Sequence, residues 1–108
     1  MKPWEIWTWK FPDADIHPAV ILGTEDRLRL KSRVNVLLCS SHRTARKAEP
    51  HEVILDTADG LNWPTLCKCD VVYAVEKSQL SQQRGLVVPE RRRAIAARVI
   101  QQLGLAGL

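Results

Sequence analysis

The sequence predicts a small mainly-β (α+β) domain whose short strands are closed by one C-terminal helix. Three features carry this expectation. Alternating or continuous apolar segments recur between residues 5 and 75, turn-forming residues separate them, and helical periodicity is confined to the residues after Pro89. No long crossover helices lie between the strands, so a small barrel or a half-open, strongly twisted sheet fits better than a βαβ architecture. At 108 residues, 45% apolar and 26% charged, the chain has the size and composition of one hydrophobic core, here taken as residues 1–108.

Residues 5–11 (EIWTWKF) alternate, with Trp7, Trp9 and Phe11 on one face and Ile6 and Thr8 on the other, which is a strand. Pro12-Asp13-Ala14-Asp15 is a turn cluster. Residues 18–22 (PAVIL) read as a buried strand that Pro18 can only begin and Gly23 ends. Residues 34–39 (VNVLLC) have the β-branched, nearly continuous apolarity of a central strand, closed by the polar Ser40-Ser41-His42-Arg43-Thr44. Residues 51–55 and 66–75 supply a fourth and a fifth strand, with turn chemistry at Asp59-Gly60 and Asn62-Trp63-Pro64. Residues 76–85 hold at most a short helical turn. Pro89 suits a first helical position, and Glu90 suits the positive end of the helix dipole. Ile95, Val99, Ile100 and Leu103 recur at helical spacing as a core stripe, Arg91, Arg92, Arg98, Gln101 and Gln102 face water, and Gly104 is a C-cap.

Composition excludes several classes. The longest apolar runs, residues 34–39 and 71–75, fall far short of the roughly 20 residues that span a bilayer. The N-terminus lacks the apolar segment of a secretory signal, so the expected compartment is the cytoplasm, with no membrane partner. Cys39, Cys67 and Cys69 are odd in number and read as free thiols. Together with His17, His42 and His51 they lack the paired spacing of a zinc site, so no metal and no cofactor are expected.

The formal charge of +4 favours a polyanionic partner. Arg27, Arg29, Lys31 and Arg33 recur at every second position, so an extended segment would present four cations on one face. Arg43, Arg46 and Lys47 follow in the next loop. On the fifth strand, Cys67, Cys69, Val71 and Tyr73 share one face and Lys68 and Asp70 the other, where the two charges are close enough to address one phosphate or simply form an exposed ion pair. Ser40, Ser41 and His42 end a core strand, where hydroxyls hold phosphate oxygens or cap a turn. His17 is held extended by Pro18, and histidine is the side-chain type that exchanges protons near neutral pH. Trp63 is open to two readings, a core residue or a ring on which a base stacks.

The order of these pieces carries a family likeness. Lys2-Pro3-Trp4-Glu5-Ile6-Trp7, His17-Pro18-Ala19-Val20-Ile21-Leu22, a strand ending in Cys39-Ser40-Ser41, Cys67-Lys68-Cys69-Asp70, and Ala74-Val75-Glu76-Lys77-Ser78-Gln79-Leu80 before a closing helix together resemble the PemK/MazF toxins over nearly the whole chain. The resemblance implies an SH3-like barrel of the CcdB/MazF/PemK type and a homodimer. It also implies an endoribonuclease that cuts single-stranded mRNA and is restrained by a cognate antitoxin. Carried onto matching positions, it makes His17, Ser40 (or its neighbour Ser41), Lys68 and Asp70 the catalytic set. The flanking phosphates then fall to Arg27, Arg29, Lys31, Arg33, Ser41, His42, Arg43 and Arg46.

The implied reaction needs no metal: the ribose 2′-hydroxyl attacks the adjacent phosphate with help from a base, a charge-stabilising cation and an acid. Asp70 or His17 is the base, Lys68 the cation or acid, and Ser40 a phosphate-orienting donor. His17-Pro18 stands where the family has Arg-Pro, and Lys68-x-Asp70 where it has Arg-x-Asp. Arginine offers phosphate a planar fork, lysine only a point charge. A catalytically inactive RNA- or protein-binding module on the same barrel is therefore the rival reading, and a DNA gyrase inhibitor a third.

Overall fold

A computed structural model describes residues 1–10, 15–44 and 46–108. Among these, six strands form one antiparallel sheet. They are β1 (Glu5–Lys10), β2 (Ile16–Leu22), β3 (Arg33–Ser41), β4 (Glu52–Leu55), β5 (Thr65–Glu76) and β6 (Leu80–Leu86), in the spatial order β4-β5-β3-β2-β1-β6. A short helix α1 (Glu25–Leu30) links β2 to β3, and α2 (Pro89–Gln102) closes the chain. Phe11 and the turn cluster Pro12-Asp13-Ala14 lie outside the described residues.

Both faces of the sheet are covered, which explains the near-continuous apolarity of β2 and β3. On one face Ile6, Val20, Leu37, Cys39, Leu55, Cys67 and Cys69 pack with Ile95 of α2. Full burial of Ile95 contributes about 1.5–3 kcal/mol and holds the helix on the sheet. On the other face Trp9, Ala19, Ile21, Val34, Val36 and Val75 pack with Leu28 of α1.

The structure departs from the sequence reading in instructive places. Residues 25–30 are helical, not extended: Thr24 caps the helix by accepting from the Arg27 N–H at 3.1 Å, Glu25 and Asp26 sit in the first turn, and Leu28 is the buried anchor. Strand β2 begins two residues before Pro18, which is tolerated because the β2–β3 ladder runs only from Ala19 to Leu22, so Pro18 has β1 alone as a neighbour. Ser40 and Ser41 are the last two residues of β3, paired with Leu66 and Thr65, so the strand runs two residues past its apolar segment. Strand β6 is additional to the five expected. Its polar sequence LSQQRGL hides an edge strand that pairs with β1 through two register shifts.

The alternation expected along β5 also breaks. Between the pairs Leu37↔Val72 and Cys39↔Cys67, one residue of β3 stands against four of β5, so a bulge exchanges the faces. Cys67 and Cys69 lie in the α2-side core while Tyr73 packs against the opposite one.

Helix α2 starts at Pro89 as expected, but its stripe is Ala94, Ile95 and Val99, with Ile100 and Leu103 exposed. Gly104, at φ 72°, follows the C-cap Leu103. Arg91, Arg92 and Arg98 do not simply face water. Arg91 bonds Asp56 and Asp59, Arg92 Nε donates to the Val87 carbonyl at 2.6 Å, and Arg98 Nη1 donates to the Pro50 carbonyl at 2.7 Å. Buried Asp59 also accepts from the Val88 N–H at 2.9 Å, which ties the turn before β5 to the start of α2.

Beside that anchor, β6 passes so close that a Cβ on Gly85 would stand 2.0 Å from the Asp59 carbonyl oxygen. Gly85→Ala should therefore push β6 off the turn and cost about 1–3 kcal/mol, the range for overpacking. A denaturant midpoint equal to that of the wild type would contradict this packing.

Candidate functional site

At one end of the sheet β2 begins, β3 ends and β5 begins, which places His17, Ser40 and Lys68 at that end. His17 pairs with Trp9 of β1, and the last β2–β3 pair is Ala19↔Leu38. Extending that register by two residues brings His17 level with Ser40, which itself pairs with Leu66. Strand alternation puts His17, Ser40, Leu66 and Lys68 on one face, with Lys68 diagonal to Ser40 at about 7–8 Å. Asp70 is not brought to this group. It lies past the last β4–β5 pair, in the bulge, exposed, and about 13 Å along the strand from Leu66.

Nor does Lys68 pair with Asp70. Glu52 stands directly opposite it on β4, and the Lys68 ammonium donates to Glu52 Oε2. Glu52 is 1% exposed. It also accepts from Arg46 Nη1 at 2.8 Å, Arg46 Nη2 at 3.0 Å and the Glu49 N–H at 2.8 Å. The Arg46 fork, ahead of Lys68 and the Glu49 N–H, holds the Glu52 carboxyl far below the usual carboxylate range in spite of its burial. Arg46, expected to meet RNA, is thus committed to a buried carboxylate. Glu52 lies near His51 and Glu49 in a cluster of metal-ligand types, but the chain's own cations and an N–H already occupy it.

On the α2 side of the same rim, Trp63 is 53% exposed and its Nε1–H donates to Ser41 Oγ at 3.2 Å. A cavity of about 440 Å³ is lined by Ser41, His42, Arg43 and Trp63. His42 Nε2 faces the Arg46 carbonyl at 2.8 Å. A carbonyl only accepts, so Nε2–H is the donor in this contact. A second cavity, about 380 Å³, reaches from Pro18 and Thr65 past Trp63 to Gln82, Gln83 and Arg84 of β6. Buried Thr8 holds this wall, donating to the Gln82 carbonyl at 3.1 Å and accepting from Arg84 Nε at 2.9 Å. Sequence reasoning missed Arg84 and the glutamines because β6 itself was not visible.

The expected basic ladder lies elsewhere. Arg27 and Arg29 sit on α1 and Arg33 starts β3, at the opposite end of β3 from Ser40, about 23 Å along the strand. On a helix, i and i+2 point apart, so no single cationic face forms. Arg27 donates to Asn35 Oδ1 at 3.2 Å, Arg29 pairs with Asp26 at 2.9 Å, and Arg33 pairs with Glu76 at 3.3 Å. Lys31 is the exposed C-cap residue of α1.

A family model of the PemK-like, MazF-like toxins of type II toxin-antitoxin systems matches residues 2–103. The chain belongs to that family. No curated protein matches it. Among solved structures, the PemK/MazF-like chain superposes with a TM-score of 0.84 on a mycobacterial endoribonuclease in complex with its cognate antitoxin, at 18% identity, covering 100% of this chain and 99% of that one. The Mycobacterium tuberculosis toxin MazF-mt6 gives 0.80 at 23% identity over 94% and 97%. A MazE-MazF structure from Deinococcus radiodurans gives 0.79 at 14% identity over 98% and 97%. The expected mainly-β fold with its C-terminal helix is the fold of these toxins. Among the described residues no helix is long and apolar enough to cross a membrane.

The Glu52 network predicts an acid-labile link between β4, β5 and the Arg46 loop. Its folded-state pKa is depressed, so its contribution is complete above the unfolded value of about 4.3 and is lost as pH falls below it. Asp56, held down first by Arg91, has the same sign. Stability measured against pH should therefore fall below about pH 5, and Glu52→Gln should flatten that slope. Lys68→Ala should cost about 1–3 kcal/mol by leaving a buried carboxylate short of a donor. An unchanged slope in Glu52→Gln would show that the network does not report on folding.

Proposed function

We propose that the chain, read as one toxin domain over residues 1–108, is the toxin of a type II toxin-antitoxin system and a metal-independent endoribonuclease acting on single-stranded mRNA. What carries this reading is the rim, where strand alternation puts His17, Ser40 and Lys68 on one face and the cavity at Ser41, His42 and Arg43 lies on the α2 side of the same edge. In the proposed reaction the 2′-hydroxyl oxygen bonds to the adjacent phosphorus, the bond from phosphorus to the 5′-oxygen breaks, and the proton leaves the 2′-oxygen for a base while an acid supplies the 5′-oxygen.

The sequence offered Asp70 or His17 as base. The remoteness of Asp70 from Ser40 favours His17, with Asp70 kept outside the reacting group. The Ser40 hydroxyl donates to a phosphate oxygen, and Lys68 is the nearest cation on that face, its charge already shared with Glu52. Arg43 and Ser41 meet the neighbouring phosphate. Arg27, Arg29, Lys31 and Arg33 could touch only a long RNA that runs the length of the sheet.

The sharing of Lys68 with Glu52 is also the observation that favours the second reading, an inactive RNA- or protein-binding module. A homodimer is part of the proposal, supported by Ile100, Leu103 and Leu105 standing 45%, 47% and 53% exposed around the end of α2. An antitoxin partner is inferred from the family and from the complexes of its relatives.

Incubation of the purified protein with a long RNA in EDTA should produce mapped cuts, and Ser40→Ala and His17→Ala should each slow them by about a hundredfold at saturating RNA. Expression of the chain alone should arrest growth, a small protein encoded beside it should restore growth, and light scattering should give twice the chain mass. Folded protein that binds RNA without cutting it would leave the binding module standing.

A further inference from the structure

We propose that Trp63 divides the rim into two subsites for a single-stranded RNA, its indole stacking on a base whose edge is read in the cavity of Asn62, Gln83 and Arg84, while the cavity of His42 and Arg43 takes the adjoining phosphate. The inference rests on the RNA reading above and specifies how the strand is held.

An exposed indole in a mobile loop would be weak support for anything, but Trp63 is fixed at several points. Its N–H is bound to Ser41, its carbonyl accepts from Thr65 Oγ1 at 3.1 Å, and the Pro64 carbonyl accepts from the His42 N–H at 2.9 Å. The loop backbone is thus pinned at Thr65 and His42, and the hydrogen bond to Ser41 orients the ring. It lines both cavities, each within the size range of small-ligand pockets. Among the described residues, no acidic side chain lines either one. An aromatic plane among cations and amides suits a strand carrying both π-faces and phosphates.

The two cavities differ in what they can recognise. Amides donate and accept at once, so Asn62 can match the edge of a base, as can Gln83 through its Oε1 and the second N–H that remains while Nε2 donates to the Gly85 carbonyl at 3.3 Å, whereas Arg43 offers donors alone and meets a phosphate whatever the sequence. Gln82, beside Gln83, adopts φ 32°, a left-handed conformation uncommon for any residue but glycine. It is the extra residue of the bulge between the pairs Trp7↔Gln83 and Thr8↔Ser81, and Thr8 holds it through the Gln82 carbonyl, which turns this stretch of β6 into the cavity wall.

The test uses the full chain and single-stranded 2′-O-methyl RNA of random sequence, which lacks the attacking hydroxyl, together with cut-site mapping on a long unmodified RNA. Trp63→Ala should weaken binding about ten- to a hundredfold, while Trp63→Phe, which keeps the plane and loses the N–H, stays within about threefold of wild type. Trp63→Ala and Gln83→Ala should both relax the base preference at one position beside the cut. Arg43→Ala should weaken binding to all sequences alike and flatten its salt dependence.

Trp63→Ala that binds and cuts as wild type overturns the inference and leaves the endoribonuclease reading intact. So does a Trp63→Ala that loses only the antitoxin, which would make the ring a protein contact. Wild-type protein that binds the 2′-O-methyl RNA through Trp63 but cuts nothing keeps the subsites and removes the enzyme. Protein that does not bind RNA removes both.

Discussion

Where β3 meets β5, Cys39 faces Cys67, and the bulge that follows sets which residues of β5 point to which side. From that pairing Ser40 falls opposite Leu66 and Ser41 opposite Thr65. On the far edge of β5, Lys68 comes to face Glu52. A slip of one residue would send Ser40 into the core and Cys39 to the rim, because side chains alternate with period two. Cores on both faces resist such a slip, since Cys39 and Leu37 belong to one and Val34 and Val36 to the other.

Much of this was legible in the sequence, for reasons tied to particular segments. The apolar runs of β2 and β3, Pro89 at the start of α2 and Gly104 beyond its end are local signals, and each marks its element within a few residues. Strand β6 was not legible because an edge strand bent by two register shifts has no alternation to read. Helix α1 was misread because the spacing of its arginines suggested a strand, whereas Thr24, Glu25 and Asp26 spelled a helix start. At the site, His17 and Ser40 could be aligned from strand order. The separation of Lys68 from Asp70 could not, because the buried partner Glu52 lies 16 residues away on another strand.

The cations show how little a formal charge says about a surface. Arg46 and Lys68 neutralise one buried carboxylate, and Arg91 holds two aspartates at the foot of α2. These pairs tie elements together and add little field at the rim, where the local supply comes from Arg43 and Arg84 in the cavity walls. A binding surface in this chain is therefore made by placement of a few groups, and the excess of basic residues is mostly spent on architecture.

The three thiols have a consequence of a different kind. Cys39, Cys67 and Cys69 are wholly buried and free, and contact with Cys39, then Cys69, together with burial pushes the Cys67 thiol up. A thiol-reactive dye can reach them only when the sheet opens, since buried thiols are inert. Their labelling rate is thus a clock for strand separation, and Cys39 keeps time for the residue beside it, Ser40. Added to the folded protein, such a dye would report how often the centre of the sheet comes apart, with no probe engineered into the chain.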